Sequence, residues 1–99
     1  MIKEKLMEIA QAYVDDMNKS NPEEKWLANF DTSIERAYGW FVDYNSEKYY
    51  QTGELEYLIL GTSPFFIDKE TGHIIDVYFP LDKNDEEVIK TFEKEYGYK

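Results

Sequence analysis

The sequence predicts an α+β domain: an N-terminal helix packed on a four- to five-stranded antiparallel sheet, with a short C-terminal helix. Three observations predict this fold. They are an apolar stripe at helical spacing before residue 18, a run of strand and turn signals over residues 26–80, and a capped apolar stripe after residue 84. Strands in one run, bracketed by helices rather than alternating with them, are typical of α+β proteins. A chain of 99 residues has the length of one domain, residues 1–99.

The first element is predicted to be a helix over residues 2–18. Apolar residues recur there at steps of three and four, the spacing that places side chains on one face of a helix. They are Ile2, Leu6, Ile9, Ala10, Tyr13, Val14 and Met17. Ser20-Asn21-Pro22 then predicts a loop.

Five strands are predicted next, from β-branched and aromatic residues between turn signals. They cover residues 26–30, 38–44, 55–60, 65–67 and 74–79, with turns at 31–33, 45–48 and 52–54. Residues 34–37 are an early start for the second strand. Residues 65–79 are predicted to form a hairpin with Gly72 in its turn, because glycine readily adopts a positive φ.

Alternation along these strands predicts two different faces. The face under the first helix is predicted to carry Trp40, Val42, Tyr44, Phe65, Ile67, Ile75, Val77 and Phe79. The opposite face would mix rings and acids: Phe41, Asp43, Ile74, Asp76 and Tyr78. That second face is either covered by the C-terminal helix or offered to a partner.

The C-terminal helix is predicted from its ends as well as its stripe. Asn84 is an N-cap with Glu87 as its capping-box partner, and Gly97 is a stop signal. The apolar stripe between them is Val88, Ile89, Phe92 and Tyr96.

Charge argues against several classes of partner. The net charge is −10, and residues 38–80 carry 7 acidic against 2 basic side chains. Nucleic-acid phosphates and anionic membranes would be repelled by this field, whereas a basic protein would be attracted. The acidity serves either solubility or the steering of such a partner.

Cysteine is absent, no apolar run reaches the length of a membrane helix, and the N-terminal stripe is interrupted by Glu4 and Glu8. We therefore expect a cytoplasmic protein without membrane association, either a monomer or a weak homodimer.

Catalysis is not expected, and neither are a cofactor or a metal. His73 is the lone histidine and follows a turn glycine, and no serine has nucleophile-elbow spacing. The acidic pairs at 15–16, 23–24 and 86–87 are adjacent, and adjacent side chains of a helix diverge by about 100°. An enzyme with a carboxylate pair from distant strands stays open as an alternative.

Surface recognition remains. The nine tyrosines either fill the boundary of the sheet or contact a partner, since tyrosine combines a large ring with a polar tip. The candidate partner-binding residues are Asp43, Tyr49, Glu54, Glu56, Asp76 and Tyr78.

Residues 38–72 carry an ordered set of short motifs. They are Gly39-Trp40-Phe41-Val42, Tyr44-Asn45-Ser46, Tyr50-Gln51-Thr52-Gly53, Leu60-Gly61-Thr62-Ser63-Pro64 and Ile67-Asp68-Lys69-Glu70-Thr71-Gly72. With the N-terminal helix, this set resembles the immunity protein 35 family of small bacterial proteins. The chain departs from the family pattern at Thr62 and at Phe79-Pro80-Leu81, and both departures fall in loops.

The resemblance implies a non-enzymatic cytoplasmic antitoxin that binds and neutralises a cognate toxin domain. The acidic charge predicts that this toxin is basic, and we expect the protein to act by occluding it. The motif residues then have structural roles: Gly39, Gly53, Gly61, Gly72 and Pro64 set the backbone, and Trp40 fills the core. The alternative function is a general protein-binding or chaperone-like module that uses exposed aromatic residues.

Overall fold

The computed structural model describes residues 1–20 and 23–99. It confirms the α+β class, with a helix at each end and four antiparallel strands in order along the sheet. The elements are α1 (Lys3–Met17), β1 (Trp26–Arg36), β2 (Gly39–Ser46), α2 (Glu47–Thr52), a 3₁₀ turn (Leu55–Tyr57), β3 (Phe65–Asp68), β4 (Ile74–Asp76) and α3 (Asp85–Tyr96). Asn21 and Pro22 of the predicted loop lie outside the described residues.

Each face of the sheet has its own core. Leu6, Ala10 and Val14 of α1 pack on a first core that holds Trp40 and Phe65. On the other face, Ile89 and Phe92 of α3 pack against Phe41 and Phe66. The second face is therefore closed by the C-terminal helix along much of its length.

The predicted face of the last strand was wrong. Ile67 pairs with Ile74, so Ile74 joins the α1 core, whereas Ile75, Val77 and Phe79 pack on the α3 core. The length of the turn explains this outcome. Six residues separate the paired Ile67 and Ile74, so odd-numbered residues of β3 pair with even-numbered residues of β4. Paired residues point to the same face, which places Ile74 beside Ile67. β4 also ends at Asp76, shorter than the predicted 74–79.

The predicted turn at residues 31–33 is an irregularity inside β1. Regular pairing with β2 stops at Asn29 and resumes at Ile34, so four residues of β1 face one of β2. The Ser33 hydroxyl bridges the gap: it donates to the Asn29 carbonyl at 2.6 Å and accepts from the Asp43 amide at 2.7 Å. Side-chain bonds thus replace the missing ladder bonds.

The predicted strand over 55–60 was wrong, as was the turn at 45–48. β2 continues to Ser46, whose hydroxyl caps α2 by accepting from the Tyr49 amide at 3.0 Å. The segment after α2 is bound across the end of β2 by side chains. Asn45 Oδ1 accepts from the Ile59 amide at 2.8 Å, and Ser46 Oγ donates to the Tyr57 carbonyl at 2.5 Å. Because of these bonds, the apolar run adds no strand to the sheet.

Candidate protein-binding surface

Several kinds of chemistry find no site in the described part of the chain. No group of three His, Asp or Glu side chains within residues 1–20 and 23–99 is arranged to hold a metal ion. No helix there is long and apolar enough to span a membrane. His73 is exposed next to the hairpin turn.

Most tyrosines are structural. Three of their hydroxyls tie separate elements together through carboxylates: Tyr13 to Asp76, Tyr38 to Glu93 at 2.8 Å, and Tyr98 to Asp68 at 2.7 Å. Burial and the carboxylate partner raise the pKa of Tyr13 and of Tyr98 to about 12, so both hydroxyls stay protonated donors at neutral pH. Tyr44, Tyr49, Tyr50 and Tyr57 are half-buried.

The remaining two tyrosines share one groove. Tyr78 is 77% exposed and Tyr96 is 51% exposed, and both line a depression of about 260 Å³ between α3 and the chain that follows β4. We call it the α3 groove. Val88 and Phe92, both buried, form part of its apolar lining. Large rings over an apolar floor are the composition typical of binding hot spots.

Charged groups surround the apolar part of the α3 groove. Glu95 and a single base, Lys83, line it, whereas the Asp76 carboxylate, although Asp76 also lines the groove, bonds to Tyr13 of α1. The fully exposed Leu81 lies in the adjacent segment. A partner surface that offers an apolar knob with basic neighbours would complement this arrangement.

The six candidate residues separate into two places. Asp76 and Tyr78 line the α3 groove, but Asp43, Tyr49, Glu54 and Glu56 do not. Tyr49 lies on α2, half-buried beside Tyr50 with ring centroids 5.9 Å apart. Glu54 and Glu56 are exposed around the 3₁₀ turn. The structure thus does not gather the six into one cluster.

Asp43 is held in an unfavourable environment for its charge. The side chain is half-buried, and burial raises the pKa of its carboxyl. Hydrogen bonds from the Thr32 hydroxyl, at 3.1 Å, and from the Tyr44 amide act in the opposite direction, while Asp85 at the start of α3 raises it further. A cation from a partner would relieve this cost, which makes Asp43 a reasonable binding candidate.

Asp43→Asn is expected to raise the Tm at pH 7, because the substitution removes a half-buried charge. A pKa raised by folding means that the folded state binds the proton more tightly, so stability falls as the pH rises through the folded pKa. The gain should therefore disappear as the pH falls below the unfolded value of 3.8. Thermal unfolding followed by circular dichroism between pH 3 and pH 8 measures it.

Asp68→Asn is the matched control of opposite sign. Burial raises the pKa of Asp68, but the Tyr98 hydroxyl and the amides of Thr71 and Glu70 outweigh it and lower the pKa overall. Its charge stabilises the fold above pH 3.8, and that stabilisation is lost as the pH falls through the lowered folded value. Asp68→Asn should lower the Tm at pH 7. Shifts of the same sign in both variants would contradict this account.

Sequence reasoning missed part of the α3 groove. Tyr96 was assigned to the apolar stripe of the C-terminal helix, yet Val88, Ile89 and Phe92 are buried and Tyr96 is not. Its ring lies 4.7 Å from that of Phe92, one turn earlier, and nothing in the local sequence marks it as the exposed member of the stripe. Lys83 and Glu95 carried no signal that separates them from other surface charges.

Comparison with known proteins identifies the family. A search of curated proteins and a search of solved structures each found no match. The family model described as Immunity protein 35 matches residues 5–89 of the 99-residue chain. The match spans α1 from its third residue, the whole sheet and the first turn of α3. The chain therefore belongs to the Immunity protein 35 family.

Proposed function

We propose that this protein is a non-enzymatic immunity protein that binds a cognate toxin domain and neutralises it by covering its active surface. Membership of the Immunity protein 35 family supports the class of function. One observation supports the surface used: of nine tyrosines, the two that are more than half exposed line the same groove. The protein would act in the cytoplasm of the cell that makes it.

The α3 groove supplies affinity and the net charge supplies speed. Rings such as Tyr78 and Tyr96 bury large areas at low entropic cost. Truncating such an anchor typically costs about 2 kcal/mol or more of binding free energy. The net charge of −10 attracts a basic toxin over distance and raises the association rate at low salt. Both features suit occlusion, which requires a large contact and no chemistry.

The four candidates outside the α3 groove have a supporting role in this proposal. Glu54 and Glu56 are exposed charges, which mainly affect association rate and its salt dependence. Asp43 and Tyr49 are half-buried, so a basic side chain of the toxin would gain more from Asp43 than from a fully exposed carboxylate.

The replacements Tyr78→Ala and Tyr96→Ala test the surface. Each should weaken binding to the toxin-domain protein encoded by the adjacent gene by about thirtyfold or more. Tyr78→Ala should leave the Tm almost unchanged because its ring is exposed, whereas Tyr96→Ala should lower the Tm slightly, since the Tyr96 ring lies 4.7 Å from that of buried Phe92. Titration calorimetry gives the affinity, and inhibition of the toxin domain's activity or rescue of cells that express it gives neutralisation.

Leu60→Ala is the matched control, because Leu60 is an apolar side chain, 82% exposed, outside the α3 groove. It should not change the affinity. A wild-type chain that fails to bind the adjacent product would overturn the proposed function. Normal binding by both tyrosine variants would move the interface elsewhere.

A chaperone-like binding module is the second candidate. Its support is the number of exposed leucines, since Leu55, Leu60 and Leu81 are 76%, 82% and 107% exposed. Such a module would bind several unfolded proteins with similar affinity and would show no preference for the adjacent product. Suppression of aggregation of a reduced, unfolded test protein distinguishes the two candidates.

A further inference from the structure

The two edges of the sheet are treated differently. At the β1 edge, the side chain of Gln11 on α1 occupies backbone groups that would otherwise be open. Its amide donates to the Trp26 carbonyl at 2.8 Å, and its carbonyl accepts from the Ala28 amide at 3.0 Å. The irregularity after Asn29 interrupts the same strand further along. Covering and kinking an edge in this way prevents another strand from pairing with it.

The β4 edge has no such cover among the described residues. The backbone amide of Asp68 donates to the His73 carbonyl at 2.9 Å, so the backbone groups of residue 73 face β3. In an antiparallel ladder the hydrogen-bonding direction alternates, so Ile75 also faces β3 and Ile74 and Asp76 turn their backbone groups outward. No hydrogen bond in the described chain involves those outward amides.

The chain beyond β4 continues this open edge. The register with β3 ends at Phe65–Asp76, and Val77, Tyr78 and Phe79 donate no backbone hydrogen bond within the described residues. This segment forms one wall of the α3 groove. Tyr78 belongs to this wall, and Tyr96 belongs to the opposite wall, which is α3. An unpaired strand edge therefore lies directly beside the most exposed rings of the molecule.

We infer that the β4 edge, from Ile74 to Tyr78, is the docking site for an extended, basic segment of the partner, which pairs with it as an additional strand. The inference rests on the proposed function and specifies how the toxin is bound. Backbone pairing gives affinity without regard to sequence, and flanking pockets give selectivity. The α3 groove is such a pocket, and the Glu95 carboxylate in its lining favours basic side chains.

A second copy of this chain is a poorer occupant of the same edge. Pairing of two copies would bring together two molecules of charge −10 and two sets of Asp76 and Glu95 carboxylates. The charge cost falls away when the incoming strand carries lysine or arginine. Charge thus favours a basic strand of the partner over a second copy of this chain at the open edge.

Comparison of Asp76→Pro with Asp76→Ala isolates the backbone. Both substitutions remove the carboxylate and its bond to Tyr13, but only proline also removes the outward amide donor. Asp76→Pro should therefore bind the adjacent toxin-domain protein about tenfold more weakly than Asp76→Ala. Gln11→Ala, at the covered edge, should leave the affinity within about twofold. Equal affinities of the two Asp76 variants would overturn the inference.

Amide hydrogen exchange on the wild-type complex removes dependence on any variant's folding. The amides of Ile74, Asp76 and Tyr78 should become protected on binding. Binding with protection elsewhere and none at these three would overturn the edge while leaving the proposed function intact. A concentration-dependent dimer of the free chain that protects the same amides would also overturn it, since the occupant would then be a second copy.

A peptide probe tests the edge without the toxin. An eight-residue peptide of alternating Lys and Val should shift the amide resonances of Ile74, Asp76 and Tyr78 at low salt, and its Glu and Val counterpart should not. Equal shifts with both peptides, or none with either, would contradict a basic extended occupant. If the adjacent protein does not bind, the proposed function fails, and the peptide result still decides the edge.

Discussion

Phe66→Ala is expected to lower the free energy of unfolding by about 4 kcal/mol, as truncation of a fully buried phenylalanine does. The Phe66 side chain is 0% exposed and contacts four rings. Its centroid lies 4.7 Å from Phe92, 4.9 Å from Tyr98, 5.3 Å from Phe41 and 5.8 Å from Tyr38. The void would open at the junction of β2, β3 and α3, where surrounding rings are too large to close it.

Urea unfolding at pH 7, followed by circular dichroism, measures this loss. Phe66→Leu keeps most of the volume and should cost less than half as much, whereas Phe79→Ala truncates a half-buried ring at the rim of the same core. If Phe66→Ala and Phe79→Ala were equally destabilising, Phe66 would not be the centre of that core. Because this core holds α3 on the sheet, Phe66→Ala should also weaken the toxin binding that we propose for the α3 groove.

The two terminal helices were predictable because their signals are local. The stripe of α1 and the Asn84 cap of α3 both lie within a few residues of the structure they specify. Asn84 accepts from the Glu87 amide at 2.9 Å, as its spacing predicted. The turn at Gly72 was equally local, with its φ of +74°.

The errors came from interactions between distant residues. Residues 55–60 have strand composition, yet Asn45 and Ser46 bind their backbone more than ten positions away. The face of β4 depended on the pairing of Ile67 with Ile74, and alternation within a strand cannot reveal the register to its neighbour. Composition indicates that a segment is extended, but the register with the neighbouring strand decides which of its side chains face each core.

The candidate binding surface was predictable to a similar extent. Asp76 and Tyr78 were predicted to contact a partner, and both line the α3 groove. Nothing local separates Tyr78 from Tyr13, Tyr38 or Tyr98, which become ties only because folding brings a carboxylate to each hydroxyl. Tertiary structure therefore decides which tyrosines bond to a carboxylate, and it leaves Tyr78 and Tyr96 exposed to a partner.

Gly39→Ala is expected to lower the free energy of unfolding by about 3 kcal/mol, the upper part of the range for overpacking a dense core. Gly39 is buried where β2 begins. A methyl group there would clash with the Ile67 carbonyl oxygen and would lie 2.5 Å from Cε1 and 2.6 Å from Cζ of Phe66. The ring cannot turn away within its packed core, and the carbonyl belongs to the paired strand β3.

Gly61→Ala is the control that separates space from backbone conformation. Gly61 has a φ of +79° with nothing within 4 Å of an added methyl group, so only the strain of a left-handed residue remains. That strain costs about 1–2 kcal/mol. Urea unfolding of both variants should thus rank Gly39→Ala as the more damaging. The reverse order would mean that β2 and β3 move apart easily at Gly39. The close contact between the strands would then not explain why glycine precedes Trp40.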